Sequence, residues 1–222
     1  MGVAKSQDME PDRKWIIIRI DGKIAAVSDD YRMLASISAQ LAKTPASKGK
    51  KDKTISRLYD EICVKTVDFN EVWKLRHEVR WEDLMLFGTE FQKKVWKKLW
   101  ELTHPEDAQE AGSQEGYGRK AQLICYSDFA DLCQNRAGVR AVAHAVSLNP
   151  VAAIIPCHLV IPKEAIDKIN SIQTKAEDTI FKGEDLCLDS ILKDESIDFG
   201  EYSLGRDLKR TLITLELTGN VS

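Results

Sequence analysis

The sequence predicts an α+β fold in two parts, a small N-terminal α/β domain and a mostly helical second domain. Three observations carry that prediction. Two β-type runs near the N-terminus flank Asp21-Gly22, a strong tight-turn pair. From Thr89 onward, apolar residues recur at helical spacings. Within that second part, two short helical segments are joined by a Gly-bearing turn, the pattern of a helix-turn-helix.

Taken in order, residues 1–13 form a polar tail. Trp15-Ile16-Ile17-Ile18-Arg19-Ile20 and Lys23-Ile24-Ala25-Ala26-Val27 make the hairpin. Tyr31 to Leu41 has Leu34, Ile37 and Leu41 on one helical face, and residues 43–53 form a basic loop. Ile55 to Phe69 is expected to hold one or two short strands, and the first domain closes near residue 80, giving a domain at 1–80. The second domain spans 84–222. Thr89-Glu90-Phe91-Gln92 reads as a capping box before a helix that buries Phe91, Val95, Leu99 and Leu102. Residues 103–120 form a polar inserted loop. Tyr126-Ser127 is expected to cap a helix from Asp128 to Cys133. The turn Asn135-Arg136-Ala137-Gly138 leads to a second helix from Val139 to Ser147. Asn149-Pro150 breaks the chain before an apolar run ending in Pro156-Cys157-His158. Residues 163–200 read as a charged, partly helical insertion. A last helix from Gly205 to Leu217 shows Leu208, Leu212 and Leu215 on one face, with Gly219 as its stop. Trp15, Trp73, Trp81 and Trp100 are expected in or near the core.

The composition, 43% hydrophobic and 30% charged, is that of a globular chain. No apolar run is long enough to cross a bilayer and no signal-peptide pattern opens the chain, so the expected compartment is the cytoplasm, or the nucleus in a eukaryote, with no membrane partner. Five cysteines without a CxxC pair argue against disulfides and zinc. The four histidines also lack ligand spacing, so no metal site is expected. The net charge is −3, but residues 164–201 hold eleven acids against four lysines, leaving the rest of the chain at +4. Such a body can still present a basic face to phosphates.

A thiol beside an imidazole is the strongest chemical signal, because a nearby base can generate the nucleophilic thiolate at neutral pH. The surrounding motifs extend it. Gly88-Thr89-Glu90-Phe91-Gln92-Lys93-Lys94-Val95-Trp96, Tyr126-Ser127-Asp128-Phe129-Ala130, Arg140-Ala141-Val142, Asn149-Pro150 through Pro156-Cys157-His158, and Tyr202-Ser203 with Gly205, Lys209 and Glu216 follow one another in order. In this order they resemble the O6-alkylguanine-DNA alkyltransferases, also called methylated-DNA–protein-cysteine methyltransferases. The resemblance covers about residues 86–217.

The resemblance implies a ribonuclease-H-like first domain and a winged helix-turn-helix-like alkyltransferase domain. It implies direct, single-turnover transfer of a methyl or other alkyl group from O6 of guanine in DNA to Cys157, with O4 of thymine as a further candidate and no cofactor. By position, His158 is the base acting through a bridging water, Glu216 holds its imidazole, and Asn149 braces the turn behind the site. Tyr126 contacts the flipped base, Arg140 enters the duplex in its place, and small residues such as Ala141 allow close approach to the minor groove. Val160, Tyr202 and Ser203 line the base pocket. The implied partner is double-stranded DNA containing O6-alkylguanine, met by a monomer. The chain departs from the pattern at Leu159, where an arginine is usual, at Leu204, where a glycine is usual, and at Cys125, where Ser or Thr is usual. Taken alone, a cysteine in an apolar run is more often an inert buried thiol. The order of the motifs sets Cys157 apart. The alternative from another class is a non-catalytic protein that binds alkylated DNA and flags lesions, although relatives of that kind replace the acceptor cysteine.

Overall fold

The computed structural model describes residues 13–29, 62–104, 122–177 and 191–218. The expected helix at Tyr31–Leu41, the basic loop 43–53, most of the loop 103–120 and the Gly219 stop lie outside the described residues. What is described mixes strands and helices.

Strands β1 (Trp15–Ile20) and β2 (Lys23–Ser28) form the expected antiparallel hairpin. Asp21 and Gly22 both take positive φ, 51° and 77°, as a tight hairpin turn of this kind requires. Strand β3 (Ile62–Val67) pairs antiparallel with the other edge of β1, giving the order β2-β1-β3. Side chains alternate across β1: Trp15 and Ile17 enter the main core, while Ile16, Ile18 and Ile20 join a second cluster on the opposite face.

Helix α1 (Phe69–Glu78) follows β3 at once, so Phe69 opens a helix instead of closing a strand. Asp68 caps it, accepting from the Glu71 amide at 2.9 Å. Its inward face is Phe69, Val72, Trp73 and Arg76. The remaining edge of β2 is covered by the second half of the chain. Met85 N–H donates to the Ile24 carbonyl at 2.8 Å. Val27 exchanges hydrogen bonds with Pro150 (2.9 Å) and Ala152 (3.0 Å). Strand β2 therefore buttresses the segment leading into Cys157.

Helix α2 (Glu90–Glu101) starts with the expected reciprocal Thr89/Gln92 capping box. It does not bury Phe91, which is 37% exposed. Its buried residues are Val95, Trp96, Leu99 and Trp100. The two tryptophans rotate the inward face away from Phe91, which is left in the first turn at the edge of the core. Leu102 is partly buried against that core. The Trp96 indole donates to the Ala145 carbonyl at 2.8 Å and ties α2 to the helix pair.

Strand β4 (Ile124–Cys125) leads into α3 (Tyr126–Leu132). Here the expected start shifts. Cys125 is the N-cap and makes no side-chain capping bond, while Tyr126 and Ser127 already lie in the first helical turn. After a 3-10 turn at Arg136–Gly138 comes α4 (Val139–Ser147), with the predicted bounds. A 3-10 turn at Cys157–Leu159 feeds β5 (Val160–Ile161), which pairs parallel with β4.

Helix α5 (Lys163–Glu177) occupies the start of the charged stretch. It packs Ala165 and Ile169 into a further core with Ile161, Ile197, Phe199 and Ile213. Helix α6 (Arg206–Thr218) buries Leu208 and Leu212, with Leu215 partly covered. The main core joins Trp15, Val27 and Trp73 to Trp96, Phe129, Ile154 and Cys157, so it runs through both halves of the sequence. Trp100 is buried in it and Trp81 is partly buried against it. Among the described residues, no helix is long and apolar enough to cross a membrane.

Candidate active site

The site is built where a strained turn meets two helices. The segment from Asn149 to Cys157 turns back on itself, with Ala153 in the left-handed region at φ 63°. A side-chain-bearing residue pays about 1–2 kcal/mol for that conformation, so the surroundings must hold it. Asn149 supplies part of the hold. Its Oδ1 accepts from Val151 N–H at 3.0 Å and its Nδ2 donates to the Ile155 carbonyl at 2.9 Å. The same Nδ2 lies 3.1 Å from Cys157 Sγ, so the brace of the turn is also a donor to the sulfur.

Cys157 is 5% exposed. Burial pushes its thiol pKa up; the bonds to Asn149 and Tyr202 and the charge of Lys209 pull it back. The thiol lies 3.8 Å from the Tyr202 hydroxyl. Tyr202, raised well above its usual range by burial and by the adjacent sulfur, stays a neutral phenol.

His158 is fully buried. Its Nε2 is 2.9 Å from Glu216 Oε1, linking the 3-10 turn to the last turns of α6. Burial lowers the imidazole pKa, and Arg76 and Lys209 lower it further, against the pull of Glu216. Burial would raise Glu216, but the His158 hydrogen bond and the Arg76 charge outweigh it and hold the group below its usual value. The pair is therefore a neutral imidazole donating from Nε2 to a carboxylate. Nδ1, buried and without a partner among the described residues, keeps its lone pair.

Tyr126, half-buried at the start of α3, is near enough to the sulfur for a Cys157 thiolate to raise its pKa further, after burial. Arg140 and Ala141 lie on the exposed face of α4, apart from the buried cluster. Ser203 is exposed beside Tyr202, and Val160 is buried. The Val160 carbonyl already accepts from Lys209 Nζ at 2.9 Å, and the Cys157 carbonyl accepts from Val160 N–H. Each carbonyl retains a second lone pair. Leu159 is fully buried, and Leu204 enters the main core. Cys125 places its sulfur 2.9 Å from the Ser127 hydroxyl.

Two charged residues carry weight that the sequence did not reveal. Arg76, from α1, pairs with Glu216 at 2.5 Å and donates to the carbonyls of Ala153 and Ile154. Lys209 is buried on α6 and its pKa falls to about 8, chiefly through burial. It stands 6.0 Å over the Tyr126 ring. Nothing in a linear sequence separates a buried cation from a solvated one, although Arg76 does sit at helical spacing from Val72 and Trp73.

Residues 119–177 match the family described as 6-O-methylguanine DNA methyltransferase, DNA binding domain. That stretch contains Tyr126, Arg140, Asn149, Cys157 and His158, and it runs to the end of α5. A mimivirus protein of Acanthamoeba polyphaga named "Probable methylated-DNA–protein-cysteine methyltransferase" is 41% identical over 81 residues, 36% of this chain and 44% of that protein. The Methanosarcina mazei methylated-DNA–protein-cysteine methyltransferase is 42% identical over 74 residues, 33% of this chain and 37% of its own. The chain thus spans less than half the length of the curated relatives it matches. Among solved structures, the O6-methylguanine-DNA methyltransferase of Pyrococcus kodakaraensis KOD1 aligns with a TM-score of 0.45 at 19% identity, covering 91% of each chain. The O6-methylguanine methyltransferase of Mycobacterium tuberculosis aligns at 0.36 and 24%, covering 63% of this chain and 55% of that one. The motif order, the matching family and the curated relatives agree: this chain resembles the methylated-DNA–protein-cysteine methyltransferases across the stretch that holds the cysteine site.

Proposed function

We propose that the chain repairs DNA by moving a methyl or larger alkyl group from O6 of guanine, with O4 of thymine as a further candidate, onto Cys157. The observation that carries this reading is the buried cluster in which Asn149 donates to a sulfur 3.8 Å from the Tyr202 hydroxyl, next in the chain to a His158 paired with Glu216. In the proposed step the thiol proton passes through a water to His158 Nδ1. The thiolate then attacks the alkyl carbon, the C–S bond forms and the C–O bond breaks with its electron pair on guanine. Tyr126 gives the leaving base a proton. The product thioether cannot be reversed by any group in the site, so each molecule acts once and needs no cofactor.

The reading assigns double-stranded DNA carrying O6-alkylguanine as partner, with Arg140 and Ala141 on the exposed helix face toward the duplex and Val160, Tyr202 and Ser203 around the extruded base. It keeps a ribonuclease-H-like domain at 1–80 and a winged helix-turn-helix-like domain at 84–222, in a monomer of the cytoplasm or nucleus. The test is intact-protein mass and peptide mapping after incubation with duplex DNA holding one O6-methylguanine. One methyl group on Cys157, absent in Cys157→Ser, is the expected result. Unchanged mass with the lesion duplex retained would replace transfer with lesion recognition. Unchanged mass without retention would overturn both.

A further inference from the structure

We propose that Arg76 is a positioning residue of the cysteine site, holding His158 as a neutral base by clamping Glu216 and the Ala153–Ile154 turn together. The inference rests on the reading of Cys157 as the nucleophile.

Arg76 reaches the site from the far part of the sequence, on the last turn of α1, and is 2% exposed. One guanidinium serves two ends. Nη2 lies 2.5 Å from Glu216 Oε1, while Nη1 donates to the Ala153 carbonyl at 2.6 Å and to the Ile154 carbonyl at 3.0 Å. The first of those carbonyls belongs to the left-handed residue of the turn. A planar fork of five N–H donors can make both attachments at once, and an ammonium cannot match that geometry. The same Glu216 oxygen takes the His158 Nε2 contact at 2.9 Å. Arg76 thus fixes the height of the carboxylate relative to the cysteine turn.

The charge balance gives the clamp its chemical consequence. Glu216 and Lys209 from α6 and Arg76 from α1 act on the imidazole, Tyr202 stands at its edge, Cys157 is its chain neighbour, and His77 of α1 faces Glu216. Glu216 alone draws a proton onto the ring; Arg76 and Lys209 oppose it. A buried carboxylate with no guanidinium beside it would be compensated by a protonated His158. An imidazolium has no lone pair at Nδ1 and cannot take the thiol proton. Leu159, the residue after His158, is fully buried and apolar and supplies no cation. The cation in direct contact with Glu216 comes from α1.

The test uses the full chain with 15N-labelled histidine, as wild type, Arg76→Gln, Arg76→Lys and the double variant Arg76→Gln/Glu216→Gln. Ring-nitrogen shifts report the tautomer and titration of His158, and iodoacetamide with peptide mapping reports the reactivity of Cys157 against pH. In wild type, His158 is a neutral Nε2–H tautomer at pH 7. Arg76→Gln moves its titration upward by about one pH unit or more and, because a protonated imidazole beside a thiol favours the thiolate, speeds Cys157 alkylation on the acid side by about tenfold. Arg76→Lys keeps the charge and stays near wild type in titration. The double variant removes both charges and returns the ring to neutral, which also separates the effect from misfolding in the single variant. An unchanged His158 titration in Arg76→Gln, or a double variant that titrates like Arg76→Gln, overturns the proposal. No readout uses DNA, so failure of alkyl transfer and failure of the clamp are told apart.

Discussion

The cysteine turn and the outer face of the α3–α4 pair belong to one continuous stretch of chain, yet the site around that turn and the helix face are built on opposite principles. In the site, Asn149, Cys157, His158 and Arg76 are buried, and their polar atoms are largely engaged with one another or with backbone. On the helix pair, Ser127, Asp128, Leu132, Arg136, Ala137, Arg140 and Ala141 are exposed. Burial makes each electrostatic contact strong and each missing partner costly. Exposure leaves cations solvated, so they can be exchanged cheaply for phosphate contacts. A region organised in the first way suits making and breaking bonds. One organised in the second way suits binding a long polyanion.

Four changes sharpen or break that contrast. The largest effect is expected from Cys157→Ser, which should abolish methyl transfer while retention of the lesion duplex persists; the mass assay and a gel-shift read the two separately. Next is Asn149→Ala, which leaves the Val151 amide without its partner and takes one donor each from the sulfur and from the Ile155 carbonyl, which keeps the Cys157 N–H. At about 1–3 kcal/mol for an unsatisfied buried group, thermal melting should fall clearly, and iodoacetamide should label Cys157 more slowly at pH 8. If the melt is unmoved, the brace is not structural.

The third concerns acid. His158 has a folded pKa below the 6.5 of the free side chain. Between those values the unfolded chain binds the extra proton, so stability is lost as pH falls below 6.5 and is fully restored above it. Melting curves from pH 8 down to pH 5 should show that loss in wild type and a flatter profile in His158→Gln; Glu216, also lowered, adds its own loss only below its usual 4.5. Parallel profiles would remove His158 from the acid response. The smallest effect on stability is expected from Arg140→Ala, within about 0.5 kcal/mol because the residue is exposed. Its affinity for the lesion duplex should nevertheless drop about tenfold, or 1.4 kcal/mol, as fluorescence anisotropy would report. Unchanged affinity would take Arg140 out of the interface.

Legibility in the sequence followed the range of the interactions involved. The Asp21-Gly22 hairpin and the Thr89/Gln92 box depend on a few neighbouring residues, and both formed as read. The bounds of α4 followed from Gly138 before it and Asn149-Pro150 after it. Phe91 was misplaced because spacing defines a helical face but not how far two tryptophans turn that face inward. Helix α1 was missed because its short apolar face follows directly on a strand, with only Asp68 between them to mark the change.

The sequence by itself determined the setting of Cys157: an apolar run, a turn at Asn149-Pro150 and a Cys157-His158 pair, all local in the chain. Tertiary structure alone decided that Arg76 and Lys209 join Glu216, the carboxylate the resemblance implies, in the buried cluster. Arg76, Lys209 and Glu216 look like surface residues when written in a row. Their burial comes from α1 and α6 closing over the cysteine turn, and burial decides whether a charge is screened by water or sets the proton of its neighbour.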